Sequence, residues 1–162
     1  MHTMTERISF QEISKGFMDG LFKTAGYLKK SGLDPKLAEL INYRVSQING
    51  CAYCLDMHSK DARANGETEQ RLYGLDAWRE TGYYSARERA ALEWTESLTL
   101  VADTRVPDDV YERVREQFSE DELAHLSLAV VAINGWNRLN IAARTVPGGY
   151  VPAGAKVPAA AR

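Results

Sequence analysis

Apolar residues recur every three or four positions through most of this chain, and no run alternates convincingly with period two. Such spacing lays apolar side chains along one face of a helix, whereas a half-buried strand needs strict alternation. Phe10, Ile13, Phe17, Leu21 and Leu28 mark a first helix that starts at Phe10 and stops at Ser31-Gly32. Asp34-Pro35 supplies a cap and a first-turn proline for a second, with its stripe at Leu37, Leu40, Ile41, Val45 and Ile48 and its stop at Gly50. A third begins at the two cysteines and runs to Asn65, where Asn65-Gly66 forms a left-handed stop. Thr68 opens a short helix through Trp78, and Pro107-Asp108 begins another around Val110, Val114 and Phe118. Ser85 with Glu88 and Ser119 with Glu122 are capping boxes, introducing a helix to about Val101 and a long run from Leu123 to Arg144. The expectation is an all-α, single-domain bundle of about seven helices over residues 1–144, followed by a Pro/Gly-containing tail or arm over 145–162.

The long run from Leu123 to Arg144 is apolar on more than one side, which places it in the core or at an interface between copies of the chain. With 162 residues, 44% of them hydrophobic, the chain can bury a core without a metal or a staple. A net charge of −2 and the lack of a long basic run exclude nucleic acid as a partner. No segment approaches the roughly 20 apolar residues of a membrane span, and the opening MHTMTERISF lacks the apolar stretch of a signal peptide. The cytoplasm is the expected compartment.

Within that compartment the cysteines carry the chemical information: there are two, Cys51 and Cys54, separated by two residues. A bridge closing so short a loop removes little entropy from the unfolded chain, so the pair reads as reactive or metal-binding rather than structural. Cys51, Cys54 and His58 stand at i, i+3 and i+7 and share one helical stripe. A helix start lowers thiol pKa values and favours the thiolate. A regular helix holds such Cβ atoms about 5–6 Å apart, while a relaxed disulfide wants roughly 3.5–4.5 Å, so the pair must adjust its backbone or be strained and easily reduced. A neutral His58 imidazole can take a proton from one thiol and return it to a leaving oxygen. His125 reads as structural. Glu39 gains interest only because helices joined at Gly50 pack as a hairpin that can bring it beside the sulfurs.

The pattern of Glu39, Cys51, Cys54 and His58 resembles the active-site motif of alkylhydroperoxidase D-like proteins, in the carboxymuconolactone decarboxylase-like superfamily. The stretch LAELINYRVSQINGCAYCLDMHSKDARANGETEQRLYGLDAW is similar to the family core, and AINGWNRLNIAAR to its closing helix. The likeness implies an all-helical homo-oligomer, a trimer or hexamer, that reduces hydroperoxides by a dithiol/disulfide cycle at the expense of a thiol reductant. It implies Cys54 as the peroxide-attacking thiol, Cys51 as the resolving one, Glu39 and His58 as a proton relay through water, and no cofactor. The best-known members carry a histidine immediately before the second cysteine, where this chain has Tyr53. Founding members carry the motif in the second half of the chain, and here it lies in the first third.

Other chemistries remain open on the residues alone. Cys51, Cys54, His58 and Glu39 are a chemically reasonable zinc set, although ligands at i, i+3 and i+7 spread along a helix axis. A non-catalytic, redox-responsive oligomer is a further alternative. Haem attachment needs a histidine directly after Cys54, where Leu55 stands. A thioredoxin fold needs a strand before the motif, and a helix precedes it.

Overall fold

The computed structural model describes residues 5–10 and 12–153. They are all-helical, with no strand among them. In chain order come α1 (Asp19–Leu28), α2 (Pro35–Asn49), α3 (Ala52–Ala64), α4 (Glu69–Tyr73), a 3₁₀ helix (Leu75–Glu80), α5 (Ala86–Thr99), α6 (Val101–Thr104), α7 (Asp108–Arg115) and α8 (Glu120–Ala143). No helix among the described residues is long and apolar enough to cross a membrane.

The local signals act where the sequence puts them. Asp34 accepts from Lys36 N at 2.9 Å with Pro35 in the first turn of α2, and Gly50 ends that helix in the left-handed region at φ 68°. In each capping box the serine Oγ accepts the backbone N–H of the glutamate at 3.2 Å. The glutamate carboxylates accept in return from Ser85 N at 2.7 Å and from Ser119 N at 2.8 Å.

Where the sequence predicts one helix to about Val101, α5 ends at Thr99 and α6 follows, so the described residues hold eight α-helices and a 3₁₀ turn against about seven helices expected, and two further boundaries differ. The first helix begins at Asp19, not Phe10, because Gly16 takes φ +88° and turns the chain. Of the apolar residues before it, Phe10 and Met18 wall a cavity while Ile13 and Phe17 stay exposed, and Phe10 and Phe17 set their rings 5.7 Å apart. The helix expected from Thr68 to Trp78 breaks at Gly74 into α4 and the 3₁₀ turn, which lets Leu72, Leu75 and Trp78 all be buried.

Helix α2 lies at the centre, packed on α3, α5 and α8. Leu37, Ile41 and Val45 of α2 join Ala91 and Trp94 of α5, Val114 of α7, and Leu126, Val130 and Ile133 of α8 in the main core. Helix α8 is buried along much of its length, yet Val131 and Ile141 remain exposed. Its asparagines point inward: Asn49 of α2 donates to Asn134 Oδ1 at 3.0 Å and to Asn137 Oδ1 at 2.9 Å, and Asn137 donates to Ser46 Oγ at 3.1 Å. A buried amide costs stability unless paired, and these pairings tie α8 to the end of α2 that feeds the cysteines. Residues 145–153 carry no helix and run across α3, and 154–162 lie outside the described residues.

Candidate active site

The turn between α2 and α3 sets the geometry of the sulfurs. After left-handed Gly50, Cys51 N donates to Ser46 O at 3.0 Å, and Cys51 takes the extended N-cap conformation at φ −84°, ψ 97°. Its Sγ accepts from Cys54 N at 3.4 Å, replacing the oxygen that usually caps a helix. The two sulfurs are thereby 2.6 Å apart, and both residues are buried. Cys51 stands at the N-cap, outside the regular helix, so the side-chain spacing expected of two cysteines three apart within one helix does not apply to the pair.

The α2/α3 hairpin also brings Glu39 to His58, with Oε2 2.8 Å from Nδ1. His58 is buried at 6% exposure, and its Nε2 has no hydrogen-bond partner among the described residues. No hydrogen bond joins the imidazole to either sulfur, so Nε2 is open to a bridging atom. Cys54, His58 and Glu39 line a cavity of about 870 Å³, whose other walls include Phe10, Met18, Phe22, Met57, Ile133 and Trp136. Cys51 is not in that wall and lies behind Cys54. His125 instead contacts Tyr27 Oη at 2.8 Å, in keeping with a structural part.

The sulfurs share protons unequally. The Cys54 S–H donated to Cys51 pulls the Cys51 thiol down to about 7, helped by the backbone N–H groups of Cys54 and Tyr53 and by His58, against the opposing effect of burial. The same donation, with burial, pushes the Cys54 thiol up, while the side-chain amides of Asn137 and Asn140 act in the other direction. Tyr53, next to Cys54, is raised from its ordinary phenol range by burial, with Cys54, Asp56 and Cys51 adding to the shift.

Sequence reasoning missed three residues here. Asn140 Nδ2 lies 3.6 Å from Cys54 Sγ, and the signal was present as asparagines at 134, 137 and 140 in an otherwise apolar helix. Asp61 and Tyr150 form a pair at the cavity wall, with Tyr150 Oη donating to the Asp61 carboxylate at 2.8 Å. Nothing local to the sequence marks that pair, because 89 positions separate its members. Glu39, His58 and Asp61 each offer a polar atom within 4.8 Å of one another, and the sulfurs stand outside this trio. The two-thiolate, one-imidazole, one-carboxylate set of a zinc centre is therefore not gathered around a single point.

Residues 15–97 match the model of the carboxymuconolactone decarboxylase family. The uncharacterized protein YdfG of Bacillus subtilis (strain 168) is 48% identical over 139 residues, which cover 86% of this chain and 95% of that protein. A solved structure from Agrobacterium tumefaciens, of a protein of unknown function proposed as an antioxidant defence protein AhpD, superposes with a TM-score of 0.87. The identity there is 36%, over 90% of this chain and 100% of that one. The debrominase Bmp8 shares the fold alone, at a TM-score of 0.69 and 16% identity over 81% of this chain and 70% of that one.

Proposed function

The chain belongs to the carboxymuconolactone decarboxylase family as an alkylhydroperoxidase D-like member, and on that premise we propose that it is a thiol peroxidase reducing hydroperoxides through Cys54 and Cys51. The observation that carries this reading is Cys54 in the wall of a cavity, its sulfur 2.6 Å from that of Cys51, with the same cavity lined by a buried His58 whose Nε2 lacks a partner among the described residues. An imidazole nitrogen buried without a hydrogen bond is costly, and a substrate oxygen or a water held in the cavity relieves that cost.

In the proposed cycle Cys54 gives its proton to the Glu39–His58 pair and attacks the terminal peroxide oxygen. The O–O bond breaks, the alcohol leaves with a proton returned by the imidazole, and Cys54 becomes a sulfenic acid. Cys51, already inclined to be a thiolate, attacks the Cys54 sulfur; the S–S bond forms and the oxygen departs as water. An external thiol reductant then restores both sulfurs by thiol–disulfide exchange. The low Cys51 pKa suits the resolving step, while the position of Cys54 at the cavity suits the first attack.

Pre-reduced protein mixed with a hydroperoxide is expected to consume about one peroxide and two titratable thiols per chain, in line with the dithiol stoichiometry. Peroxide left untouched, or thiols lost without alcohol formation, would remove the reading.

A further inference from the structure

Two side chains without a part in that cycle complete the cluster around His58. Asp61 follows His58 by three residues on α3, half-buried at the cavity wall. Its carboxylate, that of Glu39 and the imidazole present polar atoms within 4.8 Å of one another. Glu39 is bonded to His58, and Asp61 receives the hydroxyl of Tyr150, 2.8 Å from Oδ1 and 3.0 Å from Oδ2. Tyr150 is itself fastened, since Lys60 Nζ donates to Gly148 O at 3.2 Å and to Tyr150 O at 3.0 Å, and Gly148 N donates to Asp56 Oδ2 at 3.0 Å. Asp61 is thus held by a built contact in the wall of the same cavity that Glu39 and His58 line.

A second carboxylate this close to Asp61 disfavours its charged form. Burial keeps the Asp61 carboxyl above its usual range and Glu39 adds to that, while Tyr150, His58 and Lys29 act the other way. The cycle has a need for such a group. Above about pH 7, where the Cys51 thiol titrates, most chains carry one proton on the reduced sulfurs rather than two. The alcohol and the water formed in the oxidative half together take two protons, so one must enter from solvent.

Resting on the peroxidase reading, we propose that Asp61, positioned by Tyr150, is the proton-transfer residue that passes this proton from the cavity to the Glu39–His58 pair. Asp61 acts through those residues and touches no reacting atom. The test is single-turnover thiol loss in pre-reduced protein mixed with a hydroperoxide, followed across pH at low and high imidazole buffer. Asp61→Asn keeps the shape and is expected to slow turnover by on the order of 10²-fold in weak buffer, the low end for a proton-transfer group. Added imidazole restores much of that rate, whereas the unaltered protein responds little to buffer. Asp61→Glu retains the rate, and Tyr150→Phe shows a smaller loss with the same rescue. An Asp61→Asn protein as fast as the unaltered one in weak buffer, or a slow one that imidazole does not lift, overturns the inference while the peroxidase reading stands. An unaltered protein inert to peroxide removes both.

Discussion

Replacing Cys54 by alanine removes the S–H that lies 2.6 Å from Cys51 Sγ and leaves the backbone of the α3 start in place. That donated proton is the largest influence holding the Cys51 thiol at about 7, so its loss should return the thiol toward the ordinary value of about 8.5. At pH 7 the thiolate fraction would then fall from about one half to about 3%, roughly 15-fold. A more basic thiolate is also a better nucleophile, and a Brønsted slope of about 0.4–0.5 returns roughly fivefold of that loss. The net change in alkylation rate at pH 7 is therefore only about threefold, whereas the midpoint moves by about 1.5 units, so the midpoint is the quantity to measure. Cys54→Ser supplies the control, because its hydroxyl remains a donor and should keep the midpoint near 7. Alkylation of the single remaining thiol by iodoacetamide, followed by intact mass from about pH 5.5 to 10, brackets both expected midpoints. Equal midpoints for the alanine and serine proteins would refute the account and leave the helix start as the cause of the low value.

Cys54→Ser should abolish the first reaction with peroxide, while Cys51→Ser consumes about one equivalent and stalls as a sulfenic acid. A sulfenic-acid trap followed by intact mass decides the order, and an adduct on Cys51 in the Cys54→Ser protein would reverse the roles. Glu39→Gln keeps the side-chain volume but removes the carboxylate bonded to His58 Nδ1, and should lower turnover by about 10²–10⁴-fold with little change in melting temperature. Val131 and Ile141 leave apolar surface exposed on α8; the chain is expected to associate, as a trimer or hexamer by the family resemblance, and light scattering that returned the 18.1 kDa of one chain would contradict it.

Helical periodicity and caps are local properties, which is why most of the fold was legible in advance. Asp34-Pro35, Gly50, Ser85 with Glu88 and Ser119 with Glu122 each satisfy or end a backbone hydrogen-bond pattern within a few residues, whatever the rest of the chain does. The start of α1 was misplaced for the complementary reason. Phe10 has the right spacing for a helix, but only the surrounding chain decides that its ring walls a cavity instead.

The site divides along the same line. Cys51, Cys54 and His58 sit within eight consecutive residues, so their proximity follows from the sequence, and Glu39 joins them through one tight turn at Gly50. Their electrostatics do not follow from it. Cys51 becomes the better acid because it caps α3 from outside and receives the Cys54 proton, a matter of φ and ψ at one residue. Asn140 reaches Cys54 across 86 positions and Tyr150 reaches Asp61 across 89. Such contacts carry no local signature, since any polar residue at those positions would leave the helical pattern unchanged. Sequence alone therefore determined which side chains gather at the candidate site and on which elements they ride, while φ and ψ at Cys51 and the packing of α8 and the C-terminal segment onto α3 decided their electrostatics and hydrogen-bond partners. Hydrogen bonds and burial act over a few ångströms in space, regardless of separation along the chain.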